Sequence, residues 1–246
     1  MDTEADLLGA FEEHSPEEIG RILASGVSAL KPIDGKRPID CLIEGYLRSR
    51  RFSECLKVLI EAGADLGDPL LLAVLLDDAR TLKKLIRNDS KVLSQPLDLL
   101  VAFTSCRQVS ALHVCAEFNS IKCGRLLIEA GADVDARSGV DGNGIGGQTP
   151  IFHAVNSIFN FCRPMMELLV GAGASLDVCV PAVLWGESMS WETVIYDVTP
   201  VSYAQCGMFR QFHRKENDVY DNVSFLLKAR NKIAPVLRNV PNKYLA

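Results

Sequence analysis

Two stretches contain residue types that are typical of nucleotide-binding or metal-binding sites. The stretch "GVDGNGIGG" at residues 139–147 has the glycine density of a phosphate-binding loop. It lacks the Gly-Lys-Ser/Thr ending and follows a predicted helix instead of a buried strand, so a tightly turned loop is the better prediction. In "CRQVSALHVC", Cys106, His113 and Cys115 lie close in sequence, but no fourth ligand follows at the usual zinc spacing. We therefore expect no metal site.

A Cys/His catalytic pair is a further possibility, because such partners meet in space and need not be neighbours in sequence. His14 and His213 are predicted to be solvated residues between helices, and most cysteines fall in predicted helices. The sequence predicts a protein without catalytic residues or cofactors. The alternative is a pocket with a titratable pair near His153, Cys179 and Asp197.

Both tryptophans of the chain lie in "VLWGESMSWETVIY", residues 183–196. The flanking segments "VCVPAVLW" and "WETVIYDV" are rich in β-branched and aromatic residues, which predicts a hairpin with the turn "GESMS". Alternation then places Val183 and Trp185 on one face. Tryptophan commonly anchors a core or an interface. Trp185 and Trp191 are therefore expected either to contact a partner or to clamp the hairpin onto the protein.

Composition limits the class of protein. The 246 residues are 48% apolar with a net charge of -5, which predicts a globular chain without a basic surface for nucleic acid. No secretory signal and no membrane span are expected, because the acidic N-terminus lacks an apolar run and no run approaches 18 residues. Eight cysteines without a Cys-x-x-Cys pair suit free thiols. We predict a cytoplasmic protein, with a nuclear location also open.

An internal repeat organises the chain. "LIEAGAD" occurs at residues 59–65 and again at 127–133, an offset of about twice a 33-residue period. "LVGAGAS" ends at Ser175, and related openings "SALH", "TPIF" and "TPVS" begin at positions 110, 149 and 199. Two different sequence motifs, at the beginning and at the end of each unit, recur at the same spacing, which indicates a true repeat.

These marks resemble the ankyrin repeat family, and the best copy is "SALHVCAEFNSIKCGRLLIEAGADVDA" at residues 110–136. The resemblance implies one all-α repeat solenoid of about six helix-turn-helix units with finger loops, and a long β-hairpin-like finger before the last unit. One domain spans 1–246, with approximate repeats 6–34, 35–67, 68–95, 107–137, 147–178 and 197–230, finger insertions 90–109, 138–147 and 179–198, and a C-terminal tail 231–246.

Partner binding is the function that the resemblance implies, along the concave face and the long fingers. The predicted partner-binding residues are Trp185, Trp191, Tyr196, Phe118, Glu117, His153, Asn156, Tyr203 and Leu76. An exposed apolar patch at Leu72, Leu75 and Leu76 is one expectation. The alternative is that the apolar insertion "PLDLLVAF" at 96–103 covers these leucines.

The predicted function is a non-catalytic intracellular protein-protein interaction module, an adaptor or scaffold that binds a protein or peptide. The alternatives are an enzyme or small-molecule binder with a pocket under the 179–198 finger, and a self-associating structural unit. A monomer is favoured.

Overall fold

A computed structural model describes residues 3–230, and their α-helices follow one another in six pairs. The predicted tail at 231–246 lies outside the described residues. The pairs are α1 (Glu4–Glu12) with α2 (Pro16–Ala24), α3 (Pro38–Glu44) with α4 (Phe52–Glu61), α5 (Pro69–Leu75) with α6 (Ala79–Asn88), α7 (Ala111–Phe118) with α8 (Ile121–Glu129), α9 (Pro150–Val155) with α10 (Arg163–Gly171), and α11 (Pro200–Gln205) with α12 (Glu216–Ala229).

Local sequence explains where the helices begin and end. The carboxylate of Asp68 accepts hydrogen bonds from the Leu70 and Leu71 amides and so caps α5, which begins with a proline. At the other end of the units, Gly63 and Gly131 follow α4 and α8 with φ of +96° and +90°. This left-handed conformation favours glycine and terminates a helix.

The helices stack in two layers. One layer contains the first helix of each pair, in which α5, α7, α9 and α11 contact one another in order. The other layer contains the second helices, in which α2 contacts α4, and α8 lies between α6 and α10. Gly124 marks one close approach, because a Cβ atom there would lie 2.7 Å from Cε of Met165 on the next unit. A continuous apolar core runs between the layers.

Two antiparallel hairpins interrupt the helical stack. β1 (Leu97–Leu99) pairs with β2 (Cys106–Val109), and β3 (Val180–Trp185) pairs with β4 (Thr193–Val198). The predicted hairpin around the tryptophans is present, with Trp185 opposite Thr193. Its connection covers residues 186–192, so the turn is longer than the predicted five residues and includes Trp191.

The second hairpin is supported along the edge of β3 that faces away from β4. The amide of Ser105 donates to the Leu184 carbonyl at 3.1 Å, and the amide of Gly186 donates to the Phe103 carbonyl at 2.9 Å. The amide of Gly146 adds a third bond, to Ala182. An isolated two-stranded hairpin is marginal in water, so these bonds and the packing described below hold it in place.

The connections within two helix pairs contribute to the core. In the structure, the connection after α3 buries Arg48, and the 3₁₀ turn Arg210–Phe212 buries Phe212. Both side chains point into the same buried region as Trp185, because the second hairpin lies across that region.

Candidate functional site

Five of the predicted partner-binding residues are not available to a partner. Glu117, Phe118, His153, Asn156 and Tyr203 are between 0% and 8% exposed. The expectation of a solvent-facing concave surface at these positions was wrong. The face is instead filled by parts of the same chain, and each of the five side chains has an internal partner.

A buried ionic cluster occupies the centre of this face. Nη2 of Arg48 lies 3.2 Å from Oε1 of Glu117, and Nδ1 of His153 lies 3.2 Å from Oε2 of the same carboxylate. Nη1 of Arg48 also donates to the carbonyls of Gly45 and Leu47. The side chains of Arg48, Glu117 and His153 are at most 2% exposed. A buried charge is tolerated only when it is paired and hydrogen-bonded in this way.

Aromatic rings enclose the Arg48 guanidinium. Its carbon atom lies 4.4 Å from the centre of the Phe118 ring and 5.1 Å from that of Phe103. Phe118 also packs on Phe52, with ring centres 4.9 Å apart. These contacts explain why Phe118, which was expected to be exposed, belongs to the core.

Cys106 and His153 meet, but their geometry does not form a nucleophilic pair. Sγ of Cys106 lies 3.7 Å from Nδ1 of His153, the same nitrogen that faces Glu117, so the ring cannot relay a proton between the two. Burial and the nearby Glu117 raise the pKa of the Cys106 thiol well above its usual value. A thiol is a weak nucleophile when it stays protonated.

The predicted catalytic pocket is not assembled. Cys179 and Asp197 are exposed, whereas His153 lies in the buried cluster. His14 also differs from its prediction as a solvated residue, because it is buried against Phe52 and its Nδ1 lies 2.8 Å from Oγ of Ser49.

Trp185 is part of the protein core, so its predicted contact with a partner was wrong. It is 1% exposed, and its ring stacks on Phe212 with centres 3.9 Å and planes 13° apart. Phe103 lies on it as well, at 6.2 Å. Trp185 therefore clamps the second hairpin onto the last helix pair, which is the other interpretation that the sequence left open.

Tyr203 and Asn156 tie the last unit to its neighbours. The Tyr203 hydroxyl lies 2.8 Å from Oγ1 of Thr104, in the segment that runs beside β3. Nδ2 of Asn156 donates to the Tyr203 carbonyl, and the guanidinium of Arg214 donates twice to the Asn156 carbonyl. Burial of these polar groups is compensated by hydrogen bonds within the protein.

Three predicted residues keep accessible surface. Tyr196 on β4 is 71% exposed, and Trp191 and Leu76 are half-buried. Trp191 rests on Trp185 with ring centres 4.6 Å apart and meets Tyr46 edge-on at 6.0 Å. It fits there because residue 186 is glycine: a Cβ atom at that position would lie 2.0 Å from the Trp191 ring.

Trp191 lines an apolar groove of about 620 Å³ between the first helix pair and the tip of the second hairpin. We call it the Trp191 groove and define it by Leu8, Phe11, Tyr46, Phe159, Met189 and Trp191. Phe159 is 62% exposed, although it is a large aromatic side chain, and its φ of +51° is unusual for a bulky residue. Glu12, Lys36 and Glu44 also line the groove, and Lys36 and Glu44 form an ion pair.

The leucines of α5 lie near a separate depression. Leu75 is buried, Leu72 and Leu76 are half-buried, and Leu76 lines a cavity of about 600 Å³ with Phe118. The insertion at 96–103 has neighbours elsewhere, because Leu97 shares a cavity wall with Leu71. Leu97 of the insertion and Leu76 therefore line different cavities.

The two stretches considered for chemistry have structural roles. Oδ1 of Asp141 accepts hydrogen bonds from the amides of Asn143 and Ile145, which produces the predicted tight turn. Nε2 of His113 lies 3.1 Å from the carbonyl of Gln148, so this imidazole joins its helix to the loop. Within residues 3–230, no group of three His, Cys, Asp or Glu side chains is arranged to hold a metal.

Sequence reasoning missed Arg48, Phe212, Phe159 and Met189. All four lie in connections between regular elements, where repeat periodicity gives no information on burial. One signal was available: the units that begin at Pro38 and Pro150 are several residues longer than the unit at 110–136. Extra residues in a connection must be placed somewhere, and here they fold over the concave face.

The family model for the ankyrin repeat matches residues 108–139. The comparison with curated proteins finds no match. Among solved structures, the chain is similar to the ankyrin repeat protein EF0377, with 18% identity, a TM-score of 0.41, and coverage of 93% of this chain and 98% of that one.

Residues 108–139 comprise the β2 strand, the helix pair α7 and α8, and the start of the following loop. Ankyrin repeats generally mediate protein-protein interaction. Within residues 3–230, no helix is long and apolar enough to cross a membrane. The matched segment thus identifies residues 108–139 as an ankyrin repeat.

Proposed function

We propose that this protein is a non-catalytic protein-protein interaction module, an adaptor or scaffold that binds a protein or peptide. Six ankyrin repeats would form one array, each corresponding to a helix pair, with the second hairpin as an enlarged finger before the last repeat. The family match at 108–139 supports the assignment for the pair α7 and α8. The other five pairs follow the same order of helix, turn and helix.

The Trp191 groove is the binding surface that we propose. The single observation that carries this choice is the combination of exposed aromatic and apolar side chains in one concavity, with Phe159 62% exposed at a positive φ. Strained backbone at an exposed aromatic residue is retained where the surrounding structure or a function requires it. Aromatic and methionine side chains are enriched at protein interfaces, and they supply much of the binding energy there.

The groove favours a partner segment with apolar side chains and at least one basic residue. Trp191, Tyr46 and Phe159 offer ring faces and edges for apolar contacts. Glu12 is exposed at the rim, while Glu44 is already paired with Lys36. The rim therefore carries two carboxylates and one lysine, which is a net negative charge. A basic residue beside the apolar anchors complements that charge.

Tyr196 and Leu76 are proposed as secondary contact residues, because both keep accessible surface outside the groove. A monomer in a reducing compartment, the cytoplasm or the nucleus, is the proposed state. All eight cysteines lie within the described residues, and each is a free thiol. Light scattering on the purified protein tests the monomer, and a stable dimer would favour the self-associating alternative.

A peptide-display selection on the purified protein tests the groove. Peptides enriched by the wild-type protein are then measured against Phe159→Ala and Met189→Ala. Each variant removes one groove side chain that is not part of the aromatic core. We expect affinity to fall by about tenfold or more, which is typical of losing an interface anchor.

Leu30→Ala is the control for this experiment. It removes an exposed apolar side chain at a residue that does not line the groove. We expect it to change the affinity of groove-binding peptides by less than about twofold. Selected peptides that bind Phe159→Ala and wild type equally would refute the groove assignment.

A further inference from the structure

A second cavity, of about 510 Å³, lies on another side of the second hairpin. Its walls come from the β1–β2 hairpin, the glycine-rich loop at 139–147 and the β3 strand with the turn that follows it. We call it the acidic cavity and define it by Asp98, Arg107, Asp141, Gln148 and Glu187. It does not include the residues of the Trp191 groove.

The acidic cavity has more negative than positive charge. Nε of Arg107 donates to Oε1 of Glu187 at 2.6 Å, and Oγ of Ser105 donates to the other oxygen of that carboxylate at 2.8 Å. Asp98 and Asp141 also lie near enough to help raise the pKa of the Arg107 guanidinium, after the larger effect of Glu187. Hydrogen bonds from the Ile145 and Asn143 amides lower the pKa of Asp141 and keep it ionised.

These lining residues therefore comprise three carboxylates and one guanidinium. Arg107 neutralises one of the carboxylates, which leaves two without a positive partner in the lining. The side chain of Arg107 is 68% exposed, whereas that of Glu187 is 9% exposed. The anionic end of the pair thus lies in the wall of the cavity, and the cationic end faces solvent.

Gln148 provides an independent observation. It lines the cavity and is only 3% exposed, and its Nε2 donates to the Ser105 carbonyl at 2.7 Å. Among residues 3–230, its Oε1 has no hydrogen-bond partner. An acceptor that is buried without a donor costs about 1–3 kcal/mol. A ligand in the cavity that supplies a hydrogen-bond donor would remove that cost once the buried Gln148 amide turns toward it.

The geometry points to the acidic cavity as a binding site for a guanidinium or ammonium group carried on an alkyl chain. A guanidinium fits best, because its planar set of N–H donors matches carboxylate and amide acceptors. Val140, Ile145 and Leu184 line the same cavity and offer apolar surface to the methylene stem. The cation is either the arginine or lysine side chain of a bound protein, or a free alkyl guanidine or amine.

Titration calorimetry at low salt tests this site with four probes: agmatine and spermidine as free cations, N-acetyl-arginine amide as a model of a protein side chain, and N-acetyl-citrulline amide as the neutral isostere. We expect saturable binding of the arginine probe or of a free cation, and none of citrulline. Preference for the arginine amide identifies a protein side chain as the source, and preference for agmatine or spermidine identifies a small molecule.

The variant Asp98→Asn with Asp141→Asn tests the carboxylates. Asparagine keeps one acceptor oxygen, so the bonds from the Gln108 amide to residue 98 and from the Asn143 and Ile145 amides to residue 141 remain possible. The second bond, from Nε2 of Gln108 to the other oxygen of Asp98, is lost. We expect the cation to bind about tenfold or more weakly, because two charges next to it are lost. The control is Glu61→Gln with Glu129→Gln, which removes the same net charge from two exposed helix positions.

Arg107→Gln gives the opposite expectation. Removing the resident cation frees Glu187, so the probe should bind several times more tightly. Amide shifts of Gly146 and Gly147 in NMR spectra, recorded during titration of the wild type, locate the site independently of any variant.

Four results would overturn the proposal: no binding of any cation, equal binding of citrulline, equal weakening in the control double variant, or no gain in affinity with Arg107→Gln. None of these measurements involves the Trp191 groove. Failure of the peptide selection described above would therefore leave this test intact, and the reverse also holds.

Discussion

Trp185 and Phe212, which are 27 positions apart in the sequence, lie face to face with ring centres 3.9 Å apart and join the second hairpin to the last helix pair. Trp185 is among the largest fully buried side chains of the described residues. This stack turns an exposed finger into a structural element, because the hairpin cannot move away from the array without exposing both rings.

We expect Trp185→Ala to lower the free energy of unfolding by about 3–5 kcal/mol, the range for deleting a large buried aromatic side chain. Urea denaturation measures this directly. Trp185→Phe retains a ring and should cost less. If Trp185→Ala unfolds at the wild-type urea concentration, Trp185 does not clamp the hairpin as described.

Gly186→Ala should disturb the Trp191 groove more than it disturbs the array. Gly186 has a φ of +71°, and a Cβ atom would overlap the ring of Trp191 at 2.0 Å. The Trp191 ring must therefore move, at a cost of about 1–3 kcal/mol in stability. Quenching of tryptophan fluorescence by acrylamide should increase, because Trp191 becomes more exposed. Unchanged quenching and stability would contradict this packing.

The buried Arg48–Glu117 pair predicts strongly non-additive effects. Arg48→Met or Glu117→Leu alone leaves a buried charge without its partner, which typically costs about 3–5 kcal/mol. The double variant removes both charges and should be less destabilised than the sum of the two single variants. Denaturation of all four proteins closes the cycle. Additive losses would show that the two groups do not interact.

Stability should fall in mildly acidic solution because two histidines are buried in neutral form. Burial lowers the pKa of His14 to about 4 and that of His113 to about 3, from an ordinary value of 6.5. For His14, the positive charge of Arg48 adds a smaller lowering of the pKa, and for His113 the neighbouring His153 does so. Below pH 6.5 the unfolded chain takes up protons that the folded protein does not bind.

The free energy of unfolding should therefore be independent of these two groups above pH 6.5 and decrease between pH 6.5 and about 4. Urea midpoints measured across this range report the slope. His14→Gln should reduce the slope, because it removes one of the two imidazoles whose pKa is lowered by burial. A flat profile in the wild-type protein would mean that His14 and His113 are protonated in the folded state.

The cysteines should differ sharply in reactivity. Cys179 is exposed, whereas burial raises the pKa of Cys55 to about 11 and that of Cys162 to about 12. Alkylation of the folded protein at pH 8, followed by mass spectrometry, should label Cys179 first, with half-buried Cys41 slower. Cys179→Ser should remove the fast phase. Rapid labelling of Cys106 would revive the catalytic alternative.

Much of the fold follows from local sequence. The glycine after α8, the serine and proline openings of the helices and the β-branched residues around the tryptophans each specify a conformation over a few residues. The repeat period then orders these units along the chain. The helix pair matched at 108–139 and the pairing of β3 with β4 could both be predicted on this basis.

The sequence by itself thus determined the helical units, their order, the second hairpin and the tight turn at Asp141. Only the tertiary structure decided which side of the array meets solvent. Arg48 and Glu117 are 69 positions apart, and Thr104 and Tyr203 are 99 apart. Contacts of that kind arise where irregular connections meet, and such connections carry no periodicity. For that reason Trp185, Glu117 and His153 belong to the core, while Trp191 lines the groove.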